Sequence, residues 1–572
     1  MRYIKNIKPI AIFLLTLILV MGLAACGSKT EPVEESTVAP VAEQTEAGSF
    51  SMTSADGTFS NSGNIYTISS AGTYVLTGSL EGQILVDAGE EDEVILELDG
   101  VTISNSEDSP IKVISAGNVD ISAQEGTENV INDTRSAKTA DDETQGEGAI
   151  YADCDLKIKG KGALIVNASY NNGIHTTKDL TIQNLSLECI AVNDAVKGND
   201  SITVTSGTIL VISTNGDGFK TENTDVNKNG ITRGDIIISG GSVIVYAAGD
   251  GFQAAHNFEM TTGEDGAVPT VQIYTGSNSE YTASDAETTS YKGVKVQNEL
   301  NIADGSITIH SYDDGLHADY GTVFEDGSTG EGTINITGGT ITLNVYSPES
   351  KTMGQGQMNE GQMGTGPMGR GQMGGEPMGQ MEQGQAPGGW EGQQSVSGAD
   401  GIHADNVLNI SGGTINIESA YEGLEANVIN IAGGTTYVSA NDDGVNACSG
   451  NTTPQINVTG GYLDVTVSAS GDVDGIDSNG SYQQTGGIVI TRGPNSDMAA
   501  AIDADGMACV SGGTLIVLGY GWIDAEGSVG NVSLSLHSAG SHTVLIDGTA
   551  YTITNAEEYG RTICYSDSEI SQ

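Results

Sequence analysis

The sequence predicts an all-β protein whose main part is a right-handed, single-stranded parallel β-helix with about 22 residues per coil. A motif of the form acid, Gly, apolar, polar, small recurs along the chain; Asp314 to Ala318 and Asp400 to Ala404 are two copies. Turns of the Ser-Gly-Gly-Thr type, such as residues 411–414, lie between copies and are flanked by short runs of alternating apolar and polar residues. Such runs are typical of strands, and no segment has the length and periodicity of a helix.

Each period holds three short strands with their turns, so the motif copies should stack as strands of successive coils about 4.8 Å apart. The large apolar and small residues of each copy should face a continuous core. The polar position between them should then form an exposed stripe along the molecule, and this stripe is where we look for function.

The N-terminus predicts export. A basic start containing Arg2, Lys5 and Lys8 precedes an apolar stretch and the sequence Leu23-Ala-Ala-Cys26. This arrangement resembles the signal peptide and lipobox of bacterial lipoproteins, in which the cysteine receives the lipid. We therefore expect a protein that is anchored through Cys26 to the outer face of the bacterial cell membrane.

Composition divides the remaining chain into further segments. Residues 347–397 combine Met, Gly and Gln with little that could build a core, so a disordered insertion is expected there. The predicted organisation is a signal peptide at 1–26, a disordered tether at 27–48, N-terminal coils and cap at 49–132, a regular β-helix at 149–518 that contains the insertion, and a C-terminal β cap at 519–572.

The charge limits the partners. With 21 Lys and Arg against 75 Asp and Glu, the formal net charge is -54 at pH 7. This argues against nucleic acid, whose phosphates require basic patches. High solubility and cation binding both stay compatible with such a charge.

Stacked motif acids predict Ca²⁺ sites, because carboxylates on neighbouring coils repel one another and hard cations bind oxygen ligands. Asp before Gly is also favourable turn chemistry without any metal, and that alternative stays open. A separate loop resembles the first half of an EF-hand but lacks its final Glu. The candidate ligands are Asp217, Asp250, Asp313, Asp314, Asp400, Asp442, Asp443, Asp472 and Asp474, with Asp225, Asn227 and Asn229 in that loop.

The stripe has a basic middle that could bind an acidic polysaccharide, with Tyr312 and Tyr421 beside it to stack on sugar rings. These cations could equally serve to neutralise the motif acids. Lys220 and Lys295 are the candidate bases if the protein is a lyase that acts on uronates. The basic stripe residues are His175, Lys197, Lys220, Lys295, His317 and His403.

Several motifs together resemble a known family. The opening Tyr66-Thr-Ile68, Gly72-Thr-Tyr74 and Gly78, then Leu98-Asp-Gly-Val101 and the repeats above, are similar to the clostridial carbohydrate-binding β-helix domains, whose fold is similar to that of pectate lyases. The resemblance covers residues 50 to 520. It implies Ca²⁺ binding and attachment to plant-type polysaccharide, cellulose or a polygalacturonate-like acidic glycan, without established catalysis.

The sequence therefore predicts a surface-anchored, monomeric, Ca²⁺-dependent carbohydrate-binding protein. The alternatives are a Ca²⁺-dependent polysaccharide lyase of the pectate type and a structural or adhesion solenoid without a glycan ligand.

Overall fold

The computed structural model describes residues 49–138, 147–276, 290–346, 398–496 and 498–572. The predicted signal peptide at 1–26 with Cys26, the tether at 27–48 and the insertion at 347–397 lie outside the described residues. Within the described residues, no α-helix occurs, and nothing qualifies as a helix long and apolar enough to span a membrane.

Most strands belong to three columns in which each strand pairs in parallel with its counterpart on the next coil. Some strands are long enough to contribute to two columns. The first, here the motif column, contains the motif copies. Its strands are Ile65–Ile68, Gln83–Asp87, Ile111–Ser115, Gly148–Ala152, Asn172–Thr176, Val196–Gly198, Phe219–Lys220, Phe252–Ala254, Val294–Val296, Leu316–Ala318, the first parts of Ile402–Ile410 and Leu424–Ile431, Val445–Ala447 and Ile476–Ser478.

The second and third columns complete each coil. The second contains Gly72–Glu81 and Glu93–Asn105 in their first parts, Asn118–Ala123, Asp155–Gly160, Asp179–Gln183, Ser201–Val204, Asp235–Ile238, Phe258–Met260, Glu299–Ile302, Thr333–Ile336, the ends of Ile402–Ile410 and Leu424–Ile431, Gln455–Val458, and the starts of Ser481–Arg492 and Ala508–Leu518. The third contains the ends of Gly72–Glu81 and Glu93–Asn105, Glu128–Asp133, Ala163–Ala168, Ser186–Ala191, Thr208–Ser213, Ser242–Ala247, Thr270–Thr275, Ser306–Ser311, Thr340–Val345, Thr414–Ser419, Thr435–Ser439, Tyr462–Thr466, and the ends of Ser481–Arg492 and Ala508–Leu518.

The register shows how the chain returns to each column. Asp179 lies beside Ser201 in the second column, so one coil takes 22 residues at this point. The pairing confirms the all-β class and the parallel stacking of motif copies. The handedness and the coil length over the whole array stay predictions.

The apolar positions of the motif face the core, as the alternation of side chains along a strand requires. Leu316 and Ala318 are fully buried, and the motif residues of the neighbouring coils continue the same apolar column. Gly315 is required by packing: a Cβ there would lie 2.6 Å from the carbonyl oxygen of Gly401 on the next coil. The glycine of each motif therefore allows two coils to approach.

The strands at the two ends pair differently. Ser51–Ser54 and Phe59–Ser62 pair antiparallel with the first coils. At the other end, Thr562–Ser566 pairs antiparallel with Ala508–Leu518. These antiparallel contacts cover strand edges that would otherwise be open to another chain.

The remaining strands lie outside the columns, except that Asp524–Ala525 pairs in parallel with the start of Ala508–Leu518 and so extends the second column. Gly540–Ile546, Thr549–Asn555 and Ile570–Ser571 form a separate antiparallel sheet near the C-terminus. Tyr320–Val323 and Thr329–Glu331 form a hairpin between two coils. The short strands Asp524–Ala525 and Gly530–Asn531 follow the last coil.

Candidate functional site

The polar positions of the motif form one continuous stripe, as the sequence predicts. Each lies directly beside its counterpart on the next coil, in parallel register. The order is Tyr151, His175, Lys197, Lys220, Gln253, Lys295, His317, His403, Glu425, Asn446 and Asp477. We call these residues the polar stripe.

The prediction that the stripe is exposed is wrong for its basic part. His175, Lys197 and His317 are 3%, 8% and 8% exposed, and Lys220, Lys295 and His403 are half-buried. Side chains from the turn after the motif cover the stripe: Asn199 bonds His175, and Asp319 lies against both Lys295 and His317. The stripe therefore lies between two rows of polar side chains.

The lysines of the stripe are paired with carboxylates of this chain. Lys197 Nζ lies 2.7 Å from Glu222 Oε1, Lys220 Nζ lies 2.9 Å from Asp217 Oδ2, and Lys295 Nζ lies 3.5 Å from Asp319 Oδ2. An acidic polysaccharide would have to displace these partners to reach the ammonium groups. The geometry therefore favours the interpretation that the lysines neutralise the protein's own acids.

The three histidines of the stripe differ in charge. Burial and the neighbouring Lys197 lower the pKa of His175 to about 4, so this ring is neutral at pH 7. Burial also opposes the charge on His317, but hydrogen bonds to Asp314 and Asp319 outweigh it and raise the pKa. His403 behaves in the same way, because hydrogen bonds to Asp400, Asp405 and Glu425 raise its pKa.

The motif acids form a second column, here the acid ladder, whose members are Asp194, Asp217, Asp250, Asp314, Asp400, Glu422, Asp443 and Asp474. One carboxylate oxygen commonly accepts a hydrogen bond from the backbone N–H of the next coil. Asp250 N donates to Asp217 Oδ1 at 2.8 Å, and Asp400 N donates to Asp314 Oδ1 at 2.8 Å. The same bond runs from Asp474 N to Asp443 Oδ1 at 2.7 Å. The ladder thus has a structural role that requires no metal.

Lys292, which the sequence analysis did not single out, occupies the ladder position between Asp250 and Asp314. Its backbone N–H donates to Asp250 Oδ1 at 2.7 Å, as a ladder acid would. Its Nζ lies 2.8 Å from both Asp313 Oδ1 and Asp314 Oδ2. The motif variant Lys292-Gly293-Val294-Lys295 could have revealed it, since a cation stands there where other copies have an acid. We call Lys292, Asp313, Asp314, His317, Asp400 and His403 the paired segment.

Beyond Asp400 the acids of the ladder have no cation partner in the part of the chain that the structure describes. We call Glu422, Asp443, Asp474 and Asp477 the acidic segment; within the described residues, none of them takes part in an ion pair. Burial together with neighbouring carboxylates raises the pKa of Glu422 to about 9 and that of Asp443 to about 7. The same causes raise the pKa of Asp474 and of Asp477 to about 6. Like charges are therefore concentrated here without compensation.

Asn446, in the stripe beside this segment, has an unsatisfied oxygen. Its side chain is 9% exposed, and its amide nitrogen donates to Glu422 Oε2 at 2.9 Å. Its Oδ1 has no hydrogen-bond partner in the described part of the chain. A buried carbonyl oxygen without a donor is costly, and a cation would satisfy it.

The predicted Ca²⁺ ligands of the EF-hand-like loop already contact other groups of the protein. In the EF-hand-like loop, Asp225 pairs with Arg233, and Asn227 Oδ1 accepts hydrogen bonds from the backbone N–H groups of Asn229 and Ile231. This loop lies on the second column, away from the motif column. Its ligand role stays a prediction.

The structure also describes the surroundings of two further candidate ligands, Asp442 and Asp472, and of the two candidate sugar-stacking tyrosines. Asp442 is half-buried and bonds the hydroxyl of Tyr421, whereas Asp472 is exposed. Tyr312 stacks on Tyr346 with ring centroids 4.2 Å apart, so one face of its ring is occupied. A sugar-stacking role for Tyr312 and Tyr421 stays a prediction.

The surroundings of Lys220 oppose a role as the catalytic base of a lyase. Burial by itself would lower the pKa of this lysine, but the carboxylates of Asp194 and Asp217 outweigh burial and raise it. A base must lose its proton near the working pH, so this environment opposes the role. Lys295, the other candidate, is held at Asp319.

Parts of the sequence are similar to known proteins. A solved structure described as the polysaccharide lyase-like protein from C. thermocellum, a gadolinium derivative, is 33% identical; the match covers 43% of this chain and 90% of that chain, with a TM-score of 0.36. A carbohydrate-binding domain-containing protein from Acetivibrio thermocellus is 44% identical over 117 residues, which are 20% of this chain and 41% of that relative. The match to this relative thus spans less than half of the relative's length.

The family comparison covers far more of the chain. The family model described as carbohydrate-binding domain-containing protein matches residues 62–330 and 322–444, together more than half of the sequence. These residues include the motif column up to the first residues of the acidic segment. The chain therefore belongs to the carbohydrate-binding domain family.

Proposed function

We propose that this protein binds an acidic, polygalacturonate-like polysaccharide through Ca²⁺ held at the acidic segment. The single observation that carries the proposal is the group of uncompensated carboxylates around Asp443 and Asp474, next to the unsatisfied oxygen of Asn446. Ca²⁺ takes six to eight oxygen ligands in flexible geometry, so carboxylates and an amide oxygen suit it.

The donor set at this place fits the ion by its chemistry. Glu422, Asp443, Asp474 and Asn446 offer oxygen ligands, and the register places Asn446 between Glu425 and Asp477 on successive coils. One oxygen of each of Asp443 and Asp474 accepts a hydrogen bond from a backbone N–H, which fixes the carboxylate and leaves the other oxygen for a cation.

The bound ion would recognise the glycan because its remaining ligand positions can take the carboxylates of uronate residues. This route does not need the stripe lysines, which are paired within the chain. On this proposal the protein is a monomeric, right-handed β-helix, exported and anchored through Cys26, that holds polysaccharide at the cell surface without cleaving it.

The test is binding of the full chain to polygalacturonate, with Ca²⁺ and with a chelator. We expect binding that the chelator abolishes, and at least about tenfold weaker binding for the double variant Asp443→Asn/Asp474→Asn. The matched control is Glu90→Gln/Glu91→Gln, which removes two exposed negative charges far along the chain and should bind as the unchanged protein does.

Three outcomes would overturn the proposal. Binding to cellulose alone would show that uronate carboxylates are not recognised. Release of unsaturated uronides, measured by their absorbance, would establish a lyase. Absence of binding to either glycan would leave the structural or adhesion role.

A further inference from the structure

A different cluster lies where the acid ladder meets the stripe, at Asp400, His403 and Glu425. His403 Nδ1 is 3.0 Å from Asp400 Oδ2 and 3.0 Å from Glu425 Oε2. Asp400 is 4% exposed, and the other two side chains are half-buried. The register of two strands fixes the arrangement, because His403 lies directly beside Glu425.

The spacing of these donor atoms suits a small metal ion. One ligand atom from each of the three residues lies within 4.8 Å of the others. A Zn²⁺ ion makes bonds of about 2.0 to 2.2 Å to imidazole nitrogen and carboxylate oxygen, so an ion bound to Nδ1 would lie within reach of both oxygens after small rotations of the side chains. Three protein ligands leave a fourth tetrahedral position open.

The place of the two carboxyl groups is a second observation. Asp400 Oδ2 and Glu425 Oε2 both lie 3.0 Å from the same ring nitrogen of His403. Carboxylates come this close together when a cation stands between them, and the protonated His403 ring fills that role in the metal-free protein. A metal ion bound to Nδ1 would replace the ring proton and keep the same three donor groups together.

The other ring nitrogen of His403 supplies a third observation. His403 Nε2 lies 3.2 Å from Asp405 Oδ1. A carboxylate on the far nitrogen orients an imidazole and strengthens it as a ligand, which is a common arrangement behind metal-binding histidines. Asp405 thus directs Nδ1 at Asp400 and Glu425.

We propose that Asp400 Oδ2, His403 Nδ1 and Glu425 Oε2 form a site for a first-row divalent transition ion, with Zn²⁺ as the representative. The imidazole decides the class of ion, since Ca²⁺ and Mg²⁺ take oxygen ligands whereas imidazole suits Zn²⁺, Ni²⁺ and Cu²⁺. This site is separate from the Ca²⁺ ligands of the acidic segment and does not depend on glycan binding.

The test is a Co²⁺ titration, followed by absorption spectroscopy, of the full chain without an affinity tag and in excess Ca²⁺. A parallel Zn²⁺ titration by calorimetry gives the affinity. We expect one ion per chain at this site, with ligand-field bands and without a sulfur-to-metal charge-transfer band. The last condition excludes the cysteines as ligands.

Substitutions test whether the ion binds at His403 and its carboxylate neighbours. His403→Asn should weaken Zn²⁺ binding at least about tenfold. His256→Asn is the matched control, because His256 pairs with Asp235 at 2.7 Å outside the cluster and should leave the affinity unchanged. If His403→Asn does not fold, as judged by circular dichroism, Glu425→Gln replaces it.

The proposal is overturned if the unchanged protein binds no transition ion, if thiolate bands accompany binding, or if His403→Asn (or Glu425→Gln in its place) binds as tightly as the control. Failure of glycan binding would not affect this result, since no glycan is present.

Discussion

The paired segment and the acidic segment share one backbone arrangement but differ in how their carboxylates are compensated. In the paired segment, Asp314 contacts Lys292 and His317, each at 2.8 Å. In the acidic segment, Asp443 and Asp474 occupy equivalent ladder positions, and among the described residues the charged groups that act on them are other acids. In both stretches, nevertheless, the backbone N–H of the next coil donates the same hydrogen bond to the ladder carboxylate.

The motif therefore has two roles, which depend on whether its carboxylate has a cation partner within the chain. Where a cation is part of the chain, the ladder is complete as a structural element. Where none is present, mutual repulsion and burial oppose folding unless an external cation binds. The repeated motif thus carries the fold everywhere, and we propose Ca²⁺ binding where the chain leaves its carboxylates uncompensated.

The largest effect is expected from removing the cation of the paired segment. Lys292→Met would remove the cation that Asp313 and Asp314 share. Asp314 is only 3% exposed, so its carboxylate is buried. Removing one member of a buried ion pair costs about 3 to 5 kcal/mol, and because His317 still contacts Asp314 we expect a loss at the lower end of this range, about 3 kcal/mol. Urea unfolding of the two proteins in a chelator measures this loss.

Lys161→Met is the control for that loss. Its side chain is 73% exposed and its Nζ lies 3.9 Å from Glu125 Oε2, so removal of the charge should change the unfolding free energy by less than about 0.5 kcal/mol. Equal losses for the two variants would show that pairing at Lys292 contributes nothing beyond an ordinary surface contact.

The pH dependence should differ between the segments. In the folded protein the pKa of Asp443 is about 7 and that of Asp474 about 6, above the value of about 3.9 in an unfolded chain. A raised folded pKa contributes stability that is present at low pH and is lost as the pH rises through that pKa. In a chelator, the melting temperature should therefore rise as the pH falls from 8 to 5.

A double variant tests whether Asp443 and Asp474 cause this pH dependence of the melting temperature. Asp443→Asn/Asp474→Asn should melt above the unchanged protein at pH 8, and the difference should shrink as the pH falls to 5, where both carboxyls of the folded protein are protonated; it should approach zero only below the unfolded pKa of about 3.9. A difference that stays constant over this range would mean that these two groups do not cause the dependence.

The sequence predicts the fold and the register well because both follow from a repeated local pattern. Each polar position from Tyr151 to Asp477 lies where the motif copies align, since a strand can pair with its neighbour only in the register that keeps the apolar residues inside. The all-β class and the parallel columns follow from the same alternation.

The site is predicted less well because it depends on contacts outside the pattern. The burial of His317 comes from Asp319, two residues later, where the copies share no common residue type. The role of Lys292 depends on a cation in a position that elsewhere holds an acid. The amide nitrogen of Asn446 donates to Glu422 on another coil, and this orientation leaves its Oδ1 without a donor within the described ranges of the chain. Such contacts are set by three-dimensional packing.

The smallest but sharpest effect is expected from one substitution made at the same ladder position in both segments. Asparagine preserves the oxygen that accepts the N–H of the next coil and removes one negative charge. Asp314→Asn should destabilise the protein by about 1 to 2 kcal/mol, because Lys292 and His317 each lose a charged partner. Asp443→Asn should stabilise it by about 1 kcal/mol in a chelator at pH 8, because repulsion from Asp442 and Asp474 is relieved. Urea unfolding of both variants measures the two signs, and equal signs would remove the distinction between the segments.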